Sequence, residues 1–522
     1  MGLIFSKATY TPGDVVQLKT TLPGKVSIYS LSQEIFSTDI FDEIQLPQLN
    51  PGSYSVILKT RSNEIFNTAL EIISEPFSRV RYGFVSEFSE DVDVLEYLNF
   101  ARKFHLTAIQ FYDWAYKHEF LTTDLQEYGD PLGAKIVKSK IKELIRGYQE
   151  QNSLPCGYVA VYAVDSDGWK RWERAGVFNA DRKPYQLGEN FLWVLDPADE
   201  DWMNHLIEQL KQAREFGFRA FHLDQYGWPK VALKKDGAVV DLAKRFPILL
   251  NRIGKDLDDC THIFNNVNDF PSESTAITNQ DAIYIEVWEP HGNFQDLADL
   301  VSKAHSYRTG KPVILSAYIN AFKEADLNIS GARASLALTM ASISSGGASH
   351  LAIGGNGRVL HDPYYVKNFK ADAKTLSEIE NYYSFVVSSG DLLYDPSRVD
   401  ITRTFAFGIN EDIKFISEST ISPDAKANAI WVRIFKGNTG LTIHFINLLD
   451  QHSVKWDEAK NEILTTADIE LDLDSAGYGP IGHFGVASQG SKYQRVDFKK
   501  DGSRLKASIR IVGGWSILNV PC

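Results

Sequence analysis

The chain has 522 residues, of which 44% are hydrophobic, and a formal net charge of −13. This length exceeds what one hydrophobic core usually serves, so we expect two or three domains. The acidic balance argues against a nucleic-acid or anionic-membrane partner, because both require basic patches. A neutral or cationic partner fits the composition better.

Aromatic residues make up 12% of the chain, including 10 Trp and 23 Tyr. Their faces suit sugar rings, although large cores and β-sheets explain much of this content. The three cysteines, Cys156, Cys260 and Cys522, lie far apart in sequence, and we expect free thiols rather than a disulfide framework or a zinc site.

The first residues carry no export signal, and no run approaches the ~20 apolar residues of a membrane span. We therefore expect no membrane partner, and a cytoplasmic protein as the chain is written, or a secreted one if a leader was removed. The oligomeric state is left open.

Residues 1–77 alternate between polar and apolar side chains in short runs, at 15–19, 26–28 and 54–58. Turn-forming residues separate these runs, as at 11–14 and 50–52. The pattern predicts a small β-sandwich of immunoglobulin type, and nothing in it clusters chemically, so we expect a scaffold.

Residues 78–395 follow a strand–helix rhythm that repeats eight times. One predicted helix has apolar residues at Trp202, Leu206 and Leu210, opens in acidic residues and stops at Gly217. The candidate strands are residues 81–85, 108–114, 157–164, 218–224, 262–266, 282–287, 313–318 and 350–353. Eight such units in an α/β chain predict a (β/α)8 TIM barrel.

Residues 396–522 return to alternating strands. The candidates are residues 402–407, 430–435, 441–447, 469–473, 493–498 and 505–512. We expect a second β-sandwich here, of Greek-key type, packed on the barrel.

Polar side chains collect where the predicted barrel strands end. Asp224 ends the fourth strand and Glu286 lies near the end of the sixth, and barrel chemistry occurs at the C-terminal ends of strands. Two carboxylates facing each other across the barrel mouth are what glycoside cleavage needs. Each acid has an alternative role as a helix cap or an ion-pair partner.

The sequence gives weaker support to two other functions, metal-dependent hydrolysis and phosphate binding. A barrel metallohydrolase is disfavoured, because no His-x-His pair ends the first strand, so no metal or other cofactor is expected. The glycine-rich residues 354–357 could cradle a phosphate, but a flexible loop accounts for them better.

Several short motifs together resemble glycoside hydrolase family 66, the dextranases and cycloisomaltooligosaccharide glucanotransferases. They are QFYDW at 110–114, DQYG at 224–227, IEVW at 285–288, AY at 317–318 and GGASH at 346–350. The family has an N-terminal immunoglobulin-like domain, a (β/α)8 barrel and a C-terminal β-sandwich, so the resemblance implies the same three domains.

The resemblance implies retaining endo-hydrolysis of α-1,6-glucosidic linkages in dextran, with release of isomaltooligosaccharides. Asp224 is then the nucleophile and Glu286 the acid/base, their carboxyls ~5 to 5.5 Å apart. Substrate contacts are expected from Tyr112, Asp113, Trp114, Gln225, Trp288, Glu289 and His350.

Two alternatives remain. The glucanotransferases share the motifs but typically carry an inserted carbohydrate-binding module, for which this chain has no long enough stretch. A catalytically inactive glucan-binding protein is the other.

Overall fold

The computed structural model describes residues 2–522. Its N-terminal strands form two antiparallel sheets. The three-stranded sheet contains Ile4–Phe5, Gln17–Lys19 and Glu43–Gln45, and the four-stranded sheet contains Gly24–Ser30, Gln33–Ile40, Gly52–Thr60 and Ile65–Ile72. Leu18 of the first sheet and Val26 and Val56 of the second share one buried apolar cluster. The all-β prediction is confirmed for this region, and the immunoglobulin type remains a prediction.

A curled parallel sheet forms the centre of the molecule. Its strands are Tyr82–Val85, Ala108–Phe111, Leu154–Ala160, Ala220–Asp224, Thr261–Val267, Ala282–Glu286, Val313–Ser316, and an eighth in two pieces, Ser349–His350 and Ile353–Gly354. The first piece pairs with the seventh strand and the second with the first strand. The sheet therefore closes on itself, as the predicted barrel requires. The short strands Arg358–Val359 and Phe369–Lys370 extend it.

Helices follow the barrel strands in the predicted rhythm. The longer ones are Val94–Lys103, Lys138–Glu150, Glu200–Phe216, Leu242–Asp256, Phe294–Ser306, Ala325–Ser344 and Ala373–Ser388. The shorter ones are Ser166–Trp172, Ser272–Thr275 and Gly390–Leu393. The helix before the fourth strand is capped by Asp199, whose side chain accepts from the backbone N–H of Trp202, and it ends at Gly217 with φ 138°.

Loops after the second, third and fourth strands carry small sheets that the sequence did not predict. They contain Glu127–Gly129 with Lys135–Val137; Ala163–Val164, Gln186–Leu187 and Leu192–Val194; and Val231–Leu233 with Val239–Asp241. Because they follow the C-terminal ends of barrel strands, they rise over the face where the candidate carboxylates lie.

The C-terminal residues form two further sheets around a common apolar cluster. One contains Val399–Asp400, Ile421–Ser422, Ile430–Gly437, Gly440–Asn447, Ile481–Val486, Tyr493–Asp497 and Trp515–Val520. The other contains Ile413–Ile416, Ala467–Asp474, Lys499–Asp501 and Arg504–Ile511. The Greek-key topology and the boundaries after residues 77 and 395 remain predictions.

The strand predicted at residues 402–407 is wrong. Thr402–Phe405 is a short helix. The carboxylate of Asp400 accepts the backbone N–H of Thr402 at 2.9 Å. A local side-chain acceptor of this kind turns the chain out of the strand, so the pairing stops at Asp400.

Within residues 2–522, no helix has the length and apolar character needed to span a membrane.

Candidate active site

Asp224 and Glu286 are the last residues of the fourth and sixth barrel strands. The fifth strand lies between them and is hydrogen-bonded to both. Asn265 on that strand points into the barrel mouth, because side chains alternate across a strand and Ile263 packs in the barrel interior. The three side chains therefore converge at the C-terminal end of the barrel.

One amide nitrogen joins the two carboxyl groups. Nδ2 of Asn265 donates to Oδ1 of Asp224 at 2.7 Å and to Oε2 of Glu286 at 2.8 Å. Those two oxygens are therefore separated by no more than the sum of the two distances, about 5.5 Å. Separations of ~5 to 5.5 Å are typical of retaining glycosidases, and ~6.5 to 9.5 Å of inverting ones.

Each carboxyl group also accepts a hydrogen bond from one phenol. Tyr158, on the third strand, donates to Oδ2 of Asp224 at 2.6 Å. Tyr318, two residues after the seventh strand, donates to Oε1 of Glu286 at 2.8 Å. Both oxygens of each acid are thus occupied, which restricts their rotation.

Burial raises the pKa of both acids. For Asp224 the charge of Glu286 raises the pKa further, and hydrogen bonds from Tyr158 and Asn265 partly offset the rise. Burial likewise raises the pKa of Glu286, against the hydrogen bonds from Asn265 and Tyr318. Two adjacent, partly buried carboxyls resist simultaneous ionisation, so the pair favours one proton over none near neutral pH.

A cleft of about 320 Å³ opens above these acids, and its lining contains acidic but no basic side chains among the described Asp, Glu, Lys and Arg residues. Three of the described residues that line it are acids, namely Asp113, Asp224 and Glu286, and none is Lys or Arg. Burial lowers the pKa of His118 to about 4 and that of His222 to about 3, so both imidazoles are neutral at pH 7. The cleft therefore suits a neutral ligand better than an anionic one.

The sequence profile described as Glycosyl hydrolase family 66 matches residues 5–503. The chain belongs to glycosyl hydrolase family 66. The family resemblance predicted from the short motifs is confirmed, and the protein is an enzyme of the glycoside hydrolase type.

Curated relatives from the family are longer proteins. One cycloisomaltooligosaccharide glucanotransferase of Niallia circulans is 23% identical over 535 residues, which cover 90% of this chain and 54% of that protein. Another from the same organism is 23% identical over 364 residues, covering 60% of this chain and 37% of that protein. The chain thus spans about half, or less, of the length of these relatives.

Solved structures share the fold. A cycloisomaltooligosaccharide glucanotransferase from Paenibacillus sp., complexed with cycloisomaltoheptaose, matches with a TM-score of 0.87 and 17% identity over 99% of both chains. A maltogenic α-amylase from Thermotoga neapolitana matches with a TM-score of 0.55 and 12% identity, covering 85% of this chain and 99% of that one.

Of the residues predicted to contact substrate in this family 66 chain, four line the cleft. They are Tyr112, Asp113, Gln225 and Trp288. Burial, followed by the charges of Asp130 and Asp224, raises the pKa of Asp113 to about 7. The amide of Gln225 is already used, because its Nε2 donates to two backbone carbonyls and its Oε1 accepts a backbone N–H. Gln225 therefore holds the turn after the fourth strand.

The other three are not in the cleft lining, which corrects their predicted role. Trp114 is fully buried against Phe218, and its indole N–H donates to the backbone oxygen of Tyr158. Glu289 is exposed and is not among the described residues that line the cleft. His350 is buried, with Nε2 at 3.0 Å from the backbone oxygen of Ala317.

The second strand gives the physical reason for the error at Trp114. It ends at Phe111, and Asp113 has a φ of 49°. This left-handed residue turns the chain, so the alternation of a continuing strand no longer applies and Trp114 packs in the outer core.

Sequence reasoning missed the side chains that hold the two acids. Asn265 and Tyr158 lie inside the candidate strands 262–266 and 157–164, and Tyr318 ends the motif AY at 317–318, but none of the three was predicted to have a role. The alternation of the third strand could have found Tyr158, because it faces the same side as Cys156 in the barrel interior.

Proposed function

We propose that the protein cleaves α-1,6-glucosidic linkages within dextran by a retaining mechanism and releases isomaltooligosaccharides. The observation that carries the proposal is the pair of hydrogen bonds from Asn265, which keeps Asp224 and Glu286 within the retaining separation. Membership of family 66 supports the same chemistry.

In the proposed mechanism Asp224 is the nucleophile. Its carboxylate attacks the anomeric carbon while the glycosidic bond breaks, and Glu286 gives its proton to the departing oxygen. The product is a β-glucosyl ester on Asp224. Glu286 then takes a proton from water, whose oxygen attacks the same carbon and releases the carboxylate of Asp224.

This sequence requires Glu286 to be protonated when the substrate binds and Asp224 to be ionised. Burial raises the pKa of both acids, so the pair keeps one proton near neutral pH, and the proposed mechanism places that proton on Glu286. The phenol of Tyr158 and the amide of Asn265 stabilise negative charge on Asp224. One proton and one negative charge on the pair meet this requirement, with the charge on Asp224 in the proposed mechanism.

Two observations support a neutral α-1,6-glucan as substrate. The cleft carries acids and aromatic rings but no Lys or Arg among its described lining residues, which suits an uncharged sugar. The curated relatives are named cycloisomaltooligosaccharide glucanotransferases, and the similar solved structure of one such enzyme contains cycloisomaltoheptaose.

Transglycosylation to cyclic isomaltooligosaccharides is the second candidate, and the names of these relatives favour it. Both reactions pass through the same glucosyl ester. They differ in whether water or a sugar hydroxyl attacks that ester, so the products distinguish them.

The test is a time course on dextran. Hydrolysis predicts new reducing ends and an early ladder of linear isomaltooligosaccharides. Cyclic products without reducing ends would favour transglycosylation, and glucose alone from the first minutes would contradict endo action. Asp224→Ala should abolish the reaction, and Glu289→Ala, outside the cleft, should leave it unchanged. Dextran binding without any product would overturn the proposed reaction.

A further inference from the structure

Asn265 uses its side chain in an unusual way for a buried asparagine. Both hydrogen bonds of its Nδ2 go to carboxyl oxygens, one of Asp224 and one of Glu286. Its Oδ1 is buried and has no hydrogen-bond partner among residues 2–522. An asparagine that served only to brace the fold would be expected to use both ends of its amide.

The next residue provides the comparison. Asn266 is also fully buried, but it lies on the outer side of the barrel strand, because neighbouring side chains alternate and Asn265 points inward. Its Nδ2 donates to the backbone oxygens of Phe264 and Tyr284, and its Oδ1 accepts from the hydroxyl of Thr275 at 2.5 Å. Asn266 therefore links two strands to the short helix Ser272–Thr275, whereas within the described part of the chain the Asn265 side chain hydrogen-bonds only to the two acids.

The orientation of the Asn265 amide is set by charge. If the amide were reversed, Oδ1 would face two carboxyl groups, at least one of which is ionised in the working pair, and the contact would be repulsive. With Nδ2 toward the acids, each amide proton has its own acceptor. The two N–H directions diverge, so the acids are held apart as well as joined.

We propose that Asn265 is a positioning residue that fixes the separation of Asp224 and Glu286 by giving one amide proton to each. Its catalytic consequence rests on the proposed function. Tyr158 and Tyr318 each contact one acid only. Among residues 2–522, Asn265 is the one side chain that donates a hydrogen bond to both acids, so its loss should affect both members of the pair together.

Other ionisable groups face the pair and are unchanged in the test. Asp113 faces Asp224, and neutral His222 stacks on Tyr158. The charge of one or both acids raises the pKa of seven tyrosines, namely Tyr112, Tyr158, Tyr162, Tyr226, Tyr284, Tyr318 and Tyr365.

The first test needs no activity. Asn265→Leu keeps the approximate shape but removes both donors, and Asn266→Leu is the matched control. Because the Asn265 amide lowers the pKa of both acids, it stabilises their ionised forms. The Tm deficit of Asn265→Leu should therefore grow as the pH rises and the pair ionises. The deficit of Asn266→Leu should be the same at every pH. Equal, pH-independent deficits would overturn the proposal.

The second test uses the pH dependence of kcat/KM. The acidic limb reports ionisation of the nucleophile and the basic limb deprotonation of the acid. Asn265→Leu should move both limbs to higher pH by about one to two units. Tyr158→Phe should move mainly the acidic limb, and Tyr318→Phe mainly the basic limb.

These outcomes separate the two proposals. If Asn265→Leu loses rate but keeps both wild-type limbs, Asn265 is structural and the proposed reaction stands. If wild type does not act on α-1,6-glucans while the Tm deficit still grows with pH, the reaction is wrong and the positioning role stands. Asn265→Ala repeats both measurements if the leucine variant does not fold.

Discussion

The indole ring of Trp288 lies 5.1 Å from the ring of Tyr318, with an interplanar angle of 34°. Tyr318 in turn holds Glu286 through its hydroxyl. Trp288 is 40% exposed and lines the cleft, so its outer face is free to meet a ligand beside the proposed acid.

This arrangement predicts that Trp288→Ala weakens substrate binding without destabilising the protein. Loss of one stacking face should raise KM for dextran about tenfold. Trp114→Phe is the contrasting variant, because Trp114 is buried and donates to a backbone oxygen. It should lower the free energy of unfolding by about 1 to 3 kcal/mol and leave KM near wild type. Unfolding curves and initial rates on both variants check this, and an unchanged KM for Trp288→Ala would exclude it as a sugar platform.

A second prediction concerns the raised pKa of Asp113. The folded protein holds this proton to about pH 7, whereas an unfolded aspartate has a pKa near 4. The folded state therefore binds the proton more tightly, and stability falls as the pH rises from about 4 to about 7. Asp113→Asn, which mimics the protonated acid, should be more stable than wild type at pH 8, by at most about 4 kcal/mol, and equal to it near pH 4.

The measurement is Tm against pH for wild type and Asp113→Asn. Asp130→Asn is the companion variant, because the charge of Asp130 raises the pKa of Asp113. Without that charge the folded pKa of Asp113 is lower, so the fall in stability should still begin near pH 4 but end at a lower pH and be smaller. A variant Asp113→Asn that is less stable than wild type at pH 8 would contradict the raised pKa.

The barrel was predictable because buried parallel strands give short apolar runs, and the helices between them have a distinct period. The ends of the fourth and sixth strands placed Asp224 and Glu286 at the mouth. The cleft walls were not predictable in this way. Phe191 and Leu192 line the cleft from a long loop after the third strand, and loops carry no periodicity that fixes their path.

The errors at individual residues have local causes. A left-handed Asp113 turns Trp114 into the core. Asp400 ends a strand by capping the next turn. The shared amide of Asn265 depends on three strands lying side by side, and such a long-range contact leaves no local pattern in one sequence.

A third prediction tests the wall of the cleft. Asp196, which follows the strand Leu192–Val194, is fully buried and accepts two hydrogen bonds from Arg245, at 2.7 and 2.6 Å. Arg245 lies on the helix after the fourth strand. Asp196→Asn should cost about 3 kcal/mol, because it leaves the guanidinium without its counter-charge. It should also raise KM, since the loop carrying Phe191 loses its anchor.

Urea unfolding and dextran kinetics measure the two effects. Glu150→Gln is the control, because its ion pair with Arg146 is exposed on both sides, 3.9 Å long and within one helix. Its effect on stability should stay within about 0.5 kcal/mol. A loss of stability in Asp196→Asn with no change in KM would mean that the loop keeps its shape without this anchor.

The last prediction separates the two acids by role. Glu286→Ala should lose dextran hydrolysis, because no group protonates the departing sugar oxygen. Isomaltosyl fluoride needs little protonic help to leave, so this variant should still form the ester on Asp224, and azide should restore turnover by attacking that ester without a general base. Asp224→Ala should lose both activities, with or without azide.

Dextran and isomaltosyl fluoride also test whether Glu289, rather than Glu286, is the general acid. Glu289→Ala should behave as wild type toward both dextran and the fluoride, because Glu289 lies outside the cleft lining. Suppose instead that Glu289→Ala loses dextran hydrolysis but still reacts with the fluoride, and that Glu286→Ala is as inert toward the fluoride as Asp224→Ala. Glu289 would then be the proton donor. That result would require the loop after the sixth strand to rearrange when substrate binds, since the Asn265 amide and the Tyr318 phenol both hold Glu286, not Glu289, beside Asp224.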